Sequence, residues 1–357
     1  MKAISSMKQS QSYVERWLWV VYGMVCLMIV VGGTTRLTGS GLSMVEWRPL
    51  MGTLPPLGDE EWRRVFEMYQ ASPQYLTVNA WMSMSDFKVI FFWEYIHRLI
   101  GRLIGLVFFV PMAVLWLKGH LKGNHRWRAL IALGLGGLQG LLGWYMVKSG
   151  LVDIPAVSHY RLAAHLSLAF FLGAFVLWWI LDLRAASSTD SSCKPQPRRL
   201  SGLFIGLLVV QIVYGAFVAG TRAGYMYTSF PLLNGSLIPQ GAWLVPFGVH
   251  NLIENRELLN VIHRLLALGL GVLGAWVTIP IIKHAQTDRI RIRAAQVLLT
   301  VLTIQILLGI LTVTLHVPVI LGALHQITAF LLLSAALWLH HTSSGATVTS
   351  NQARTRV

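Results

Sequence analysis

Along the chain, apolar residues gather into eight runs of roughly membrane-spanning length, and polar residues gather between them. The runs cover residues 17–31, 89–117, 129–147, 160–181, 200–220, 258–282, 294–315 and 319–339. A helix needs about 20 apolar residues to cross about 30 Å of hydrocarbon, and only elements that satisfy their own backbone hydrogen bonds can do so. The pattern predicts an all-α integral membrane protein with eight transmembrane helices. An even number returns both termini to one side. The polar segment after the first run is long, and within it "DEEWRRVFEMYQ" (59–70) places Trp62, Val65, Phe66 and Tyr69 on one stripe with charges opposite. That stripe predicts a short amphipathic helix on the outer surface, which either covers a site or anchors at the interface.

The main compositional break is the Ser- and Pro-rich "DLRAASSTDSSCKPQPRRL" (182–200). It divides the chain into an N-terminal segment (1–16), a first half (17–181), a linker (182–199), a second half (200–341) and a tail (342–357). Each half repeats the other in order. "GGTTRLTG" (32–39) matches "VAGTRAG" (218–224), aligning Arg36 with Arg222; "EYIHRLIG" (94–101) matches "NVIHRLLA" (260–267), aligning His97 with His263. "LQGLLG" (138–143) matches "IQILLG" (304–309), and "AAHLSLAFFLGA" (163–174) matches "GALHQITAFLLLSA" (322–335), aligning His165 with His325. Four helices per half make the repeat parallel, which predicts two four-helix bundles related by a pseudo-twofold axis along the membrane normal, unlike an inverted repeat.

Composition agrees: 55% of residues are hydrophobic and 12% charged, as in membrane proteins. The net charge of +15 sits in segments that the helix count places on one side, namely 1–16, 118–128, 194–199, 283–293 and the tail. Positive residues mark the cytoplasmic face, so both termini are expected in the cytoplasm. These segments are short and poor in aromatics, which excludes nucleic acid as a partner and leaves the lipid bilayer. Cys26 within the first run and Cys193 in the linker lie at different levels and cannot form a disulfide without rearrangement. No CxxC or zinc-finger spacing occurs. Without a cleavage site or transit peptide before residue 17, a bacterial inner membrane is the simplest address.

Of twelve histidines, His120, His125, His284, His340 and His341 fall in or beside cytoplasmic segments, and His159, His250 and His316 at outer helix ends. His97, His165, His263 and His325 are inside. They stand about five to eight residues into inward-running helices, roughly 8–12 Å below the outer boundary at 1.5 Å per residue. A polar side chain at such depth is costly and usually functional, although a single one often just bonds a neighbouring carbonyl. Paired imidazoles from different helices suit the axial positions of a haem iron. A zinc site would want a third protein ligand and a copper site thiolate or thioether; neither follows the repeat. One haem per half is the economical reading.

Haem carboxylates call for cations. Arg36 and Arg222 are the first candidates and Arg98 and Arg264 the second, with interfacial snorkelling as the alternative for each. Gly101, Gly105, Gly140, Gly143, Gly269, Gly271 and Gly309 recur near the ligands, giving close helix packing or room for a flat macrocycle. The halves differ at one telling position: Glu94, one turn before His97, is replaced by Asn260 before His263. An intramembrane carboxylate is a functional candidate, which assigns proton chemistry to the first half and electron transfer to the second. An ion pair of Glu94 with Arg98 or Arg102 is the structural alternative.

"RLTGSGLSMVEWRPLMGTLPPL" (36–57), "WEYIHRLIGRLIG" (93–105), "SHYRLAAHLSLA" (158–169), "NVIHRLLA" (260–267) and "LGALHQITA" (321–329) resemble the haem A synthase family over about residues 14–341. The resemblance implies an oxidoreductase acting on a CH3 group, converting the C8 methyl of haem O to the formyl of haem A by successive hydroxylations, for cytochrome oxidase assembly. It implies that His97 and His165 bracket haem O with Glu94 close to the reaction, and that His263 and His325 ligate a resident haem b. Partners would be an electron donor and the haem O synthase that supplies the substrate. Some family members carry a cysteine pair in the first outer loop; residues 37–88 have none, as in the cysteine-free proteobacterial and mitochondrial branch. The rival readings are a di-haem b-type electron carrier, whose haems would normally lie at different depths, and a transporter, which would want broken helices or an aqueous polar path.

Overall fold

The structure, a computed structural model, describes residues 2–46, 54–151, 155–187, 198–284 and 288–343. Part of the 36–57 motif, most of the linker with Cys193, and the tail beyond residue 343 lie outside the described residues. The helices are α1 (Lys2–Leu37), α2 (Asp59–Gln70), α3 (Met84–Leu117), α4 (Asn124–Lys148), α5 (His159–Ser187), α6 (Arg199–Gly220), α7 (Asn251–Glu254), α8 (Arg256–His284), α9 (Arg289–Thr314) and α10 (Val319–Thr342). Eight of them, all except α2 and α7, are long and apolar enough to cross a membrane. Each expected run is therefore found. α1 begins well before residue 17, because no Gly or Pro interrupts the chain until Gly23 and polar residues sustain a helix as readily as apolar ones.

Local sequence sets the ends. Ser83 caps α3 by accepting from the Asp86 N–H while the Asp86 carboxylate accepts from the Ser83 N–H, a reciprocal arrangement that satisfies two otherwise orphaned donors. Asp288 caps α9 through the Arg291 N–H at 3.0 Å.

α1 packs on α3 and α5, and α6 on α8 and α10, within the first and second halves respectively. Across the halves, α1 meets α10 and α5 meets both α6 and α10. The largest buried side chains of this central layer include Trp179, Ile180 and Phe330. A Cβ on Gly173 would stand 2.4 Å from the Phe330 ring, so α5 and α10 touch almost backbone to side chain. The Tyr22 and Ser334 hydroxyls share a hydrogen bond of 2.7 Å, and Gln326 Nε2 donates to the Ile29 carbonyl at 3.0 Å. In a bilayer such polar contacts and small-residue approaches hold helices together, because hydrophobicity alone does not.

The stripe on α2 meets protein. Trp62, Val65, Phe66 and Tyr69 pack on Phe87 and Phe91 at the start of α3. Tyr69 is fully buried, stacked on Phe87 at 5.0 Å, and its hydroxyl donates to Gln74 Oε1 at 3.1 Å and accepts from Asn79 Nδ2 at 2.7 Å. Burial raises the Tyr69 phenol pKa. α2 thus sits on the helix that carries Glu94 and His97. Truncating the hub, Phe87→Ala, is expected to cost about 3–5 kcal/mol locally and to expose residues 59–70 to limited proteolysis of the otherwise folded protein; cleavage there no faster than in the parent would contradict the docking.

Candidate functional site

Each of the four interior histidines lies against a glycine of the preceding membrane helix. A Cβ placed on Gly32 would stand 2.9 Å from His97 Cε1; on Gly143, 3.1 Å from His165 Cε1; on Gly215, 3.1 Å from His263 Cε1; on Gly309, 3.0 Å from His325 Cε1. Any larger residue would push the ring away. One turn before the glycine, three of these helices carry a glutamine. Gln139 Nε2 donates to the His165 carbonyl at 3.1 Å and lies 3.3 Å from its Nε2; Gln211 Nε2 donates to the His263 carbonyl at 2.9 Å; Gln305 Nε2 lies 3.4 Å from His325 Nε2. On α1 the same place holds Met28, whose methyl rests against Gly101.

The glycine contacts also correct the register of one repeat. They pair Gly32 with Gly215, which sets Arg36 opposite Ala219 rather than Arg222. Arg36 lies in the last turn of α1, whereas Arg222 follows the end of α6 in a left-handed conformation at φ 58°. Arg222 and Tyr225 lie within electrostatic range of Arg36, so the two arginines share one neighbourhood at the loop-bearing end.

His263 and His325 face each other with ring centroids 6.5 Å apart and planes at 75°. A metal–imidazole bond is about 2 Å, and two such bonds with the half-rings beyond them bring centroids to roughly 6 Å, so the pair has the reach to bracket one iron. In the first half, His97 and His165 lie within electrostatic range of each other. The Nδ1 atoms of all four rings are buried without a hydrogen-bond partner among the described residues, as are Oε1 of Gln139, Gln211 and Gln305. Buried polar atoms left unmatched in the same way at four repeated places call for an explanation. A group bound between the rings supplies one. No three His, Cys, Asp or Glu side chains converge as a metal-ion site among the described residues.

Glu94 and its counterpart Asn260 do the same mechanical work with different chemistry. The buried Glu94 carboxylate accepts from Ser43 Oγ at 2.7 Å, from the Met44 N–H at 2.8 Å and from Arg98 at 2.6 Å. Arg98 also donates to the carbonyls of Met44 and Glu46. In the second half Asn260 donates to the Ala223 carbonyl at 3.0 Å and accepts from Arg264 Nε at 2.8 Å, while Arg264 donates to the carbonyls of Tyr227 and Ser229 at 2.7 Å each. In each half a loop is thus clamped to the helix of the first histidine. Burial, and then the neighbouring Glu257 carboxylate, raise the Tyr227 phenol pKa. Sequence reasoning found the Glu94–Arg98 pair but missed the loop carbonyls, and it missed Gly32, Gly215 and Gln211; a Q-x-x-x-G spacing one helix before three of the four histidines was the available signal.

The family profile COX15-CtaA, described as cytochrome oxidase assembly protein, matches residues 15–337. The chain belongs to this family. A member from Nitrosospira multiformis named heme A synthase is 44% identical over 339 residues, 93% of each chain. Others of the same name are 42% identical in Bradyrhizobium sp. (strain BTAi1), covering 90% of this chain and 88% of that one, and 41% identical in Nitrosomonas eutropha, covering 93% and 94%. The matched span of the cytochrome oxidase assembly family includes all four histidines, Glu94 and both loop clamps.

Cutting one clamp tests its role. Arg98→Met leaves a buried carboxylate unpaired, which typically costs about 3–5 kcal/mol, and should speed amide exchange at residues 43–46; Glu94→Gln added to it should recover part of the loss. Parental exchange in the single variant would remove the clamp.

Proposed function

We propose that this protein is a haem A synthase: it oxidises the C8 methyl group of haem O to a formyl group by two successive hydroxylations, the second product losing water. The observation that carries the reading is the fourfold glycine-backed histidine, in two pairs that differ by the acid, Glu94 against Asn260. The fit to haem rests on the 6.5 Å separation of His263 and His325 and on the four unmatched Nδ1 atoms. Haem iron supplies the oxidative and electron-transfer chemistry that no side chain can perform on a methyl group.

The chain's own residues bind, orient and move protons. His97 and His165 hold the substrate; His263 and His325 hold a resident haem b. Gly32, Gly143, Gly215 and Gly309 fix where each ring stands; Gln139 and Gln305 lie beside the His165 and His325 rings, and Gln139 and Gln211 hold the backbone carbonyls of His165 and His263. Arg36 and Arg222 form the positive patch for haem carboxylates. Arg98 and Arg264, the second choice for that role, serve the sites by holding the loops. Glu94, on the His97 face of α3 and bonded to Ser43, is the proton-handling group of the first centre. The halves are parallel bundles related by a pseudo-twofold axis, which matches the reciprocal contacts of α1 with α10 and of α5 with α6. The basic segments support a reading with both termini in the cytoplasm of a bacterial inner membrane. A haem O synthase and an electron donor are the partners this reading expects.

Extraction of pigments from the purified protein is the deciding experiment: haem b together with haem O or haem A is expected when haem O is supplied, and haem b alone under all conditions would favour a di-haem electron carrier. Glu94→Gln is expected to lower haem A formation about 100-fold or more while the haem b spectrum persists, and undiminished product would remove Glu94 from the chemistry. His263→Ala or His325→Ala should strip the resident pigment; an unaltered spectrum in both would overturn its assignment.

A further inference from the structure

The two halves close differently. The register that carries His97 to His263 and Gln139 to Gln305 also carries Gly105 to Gly271, Gly136 to Leu302 and Gly140 to Ile306. In the second half these residues interlock. A Cβ on Gly271 would stand 3.1 Å from Ile306 Cδ1, and a Cβ on Gly274 only 2.3 Å from Leu302 Cδ2. Leu302 is 2% exposed, and α8 and α9 pack along their length. In the first half the same seam is bare. Gly105, Gly136 and Gly140 are exposed, with nothing among the described residues within 4 Å of a Cβ built on any of them, and α3 touches α4 at few points. The residue of α3 that replaces Gly274 is Phe108, which turns inward onto Trp17 at 4.9 Å and leaves the seam unfilled.

What lies along this seam points to an occupant. An open groove on α4 is lined by Gly137, Gly140, Leu141 and Trp144. One turn above Gly140 is Gly143, against which the His165 ring rests with its buried, unmatched Nδ1. At the loop-bearing end Lys148 Nζ stands 5.3 Å from the Trp144 ring centroid, and the second-half residue in this register is Thr314. A flat, apolar surface thus leads from the lipid side to an imidazole, with a cation at the end where a carboxylate would ride. A prenylated tetrapyrrole with paired carboxylates is flat, greasy along its tail and anionic at one edge.

Resting on the haem A synthase reading, we infer that the α3–α4 seam is a lateral portal through which haem O reaches the first centre from the bilayer and haem A returns. Leu302 and Ile306 fill the corresponding α8–α9 seam and keep the second centre's pigment resident. One bundle plan thereby makes one site exchangeable and the other permanent through side-chain volume alone.

The test installs the second-half plug in the first half. Protein in nanodiscs is mixed with haem O and its uptake followed by stopped-flow absorbance, with the second-half Soret band as the measure of intact folding. Gly136→Leu with Gly140→Ile should slow uptake at least tenfold at an unchanged second-half Soret; Gly140→Val, a milder plug, should give an intermediate rate if the double variant does not fold. Uptake at the parental rate by a variant with an intact Soret overturns the portal while leaving the function standing. Conversely, Leu302→Ala with Ile306→Gly should let an apo-myoglobin scavenger draw off the second-half pigment at least tenfold faster, and parental retention overturns the seal. Failure of the parent itself to take up haem O overturns the haem A synthase reading and the portal with it.

Discussion

The contact on which this structure depends is the approach of an imidazole edge to a helix backbone at a glycine. Within a bilayer an unattached histidine is free to turn among lipid, water defects and neighbouring carbonyls. Here each ring is stopped by the helix before it, about 3 Å from where a methyl group would begin. The stop is steric and short-ranged, so it sets ring position without placing a formal charge or a competing donor at that edge. Four helix pairs obey it, α1 with α3, α4 with α5, α6 with α8 and α9 with α10. The positions of the four rings, and the facing of His263 and His325, follow from it.

A second constraint is layered on the first. The helix that carries the first histidine of each half also carries an arginine one residue later and a polar residue three before, and that trio anchors the loop overhead. With Asn260 the anchor is neutral on the helix side and Arg264 is satisfied largely by carbonyls. With Glu94 the anchor is a buried ion pair, costly to desolvate and costly to break. A clamp that merely held a loop would do as well with asparagine, as the second half demonstrates, so the carboxylate in the first half is surplus to mechanics. That surplus is the physical argument for giving Glu94 a share in the chemistry, and α2 over the same end of α3 encloses the place where it would act.

The eight spanning helices were legible because bilayer thickness imposes a length that hydropathy reports directly, and the α2 stripe was legible because its period is local. The four histidines stood out through duplication. Their supports did not. Glycine is common in membrane helices, so Gly32 and Gly215 carried no individual signal, and matching the arginines obscured the register that the ring contacts reveal. Met28 was invisible as the odd member of a Gln series until Gln139, Gln211 and Gln305 were seen to lie on histidines. The carbonyls of Met44, Glu46, Tyr227 and Ser229 could not be anticipated, since loop conformation depends on contacts distant in sequence. Whether α2 faced lipid or protein turned on Phe87 and Phe91, whose side of α3 only packing defines.

Duplicated membrane proteins face a conflict that packing can resolve. Identical halves would bind their pigments identically, yet a catalyst must release its product while an electron relay must never lose its carrier. Altering the ligands would change affinity and redox behaviour together, because axial coordination sets both. Altering the seam changes access alone. A few glycine positions exchanged for Leu302 and Ile306 leave the histidines, their backing glycines and the glutamines of α4 and α9 untouched, so exchange kinetics and iron chemistry become separately adjustable. The missing glutamine at Met28 fits this division as well: His97 is the histidine whose preceding membrane helix carries no glutamine one turn before the backing glycine, and it sits on the helix that borders the open seam.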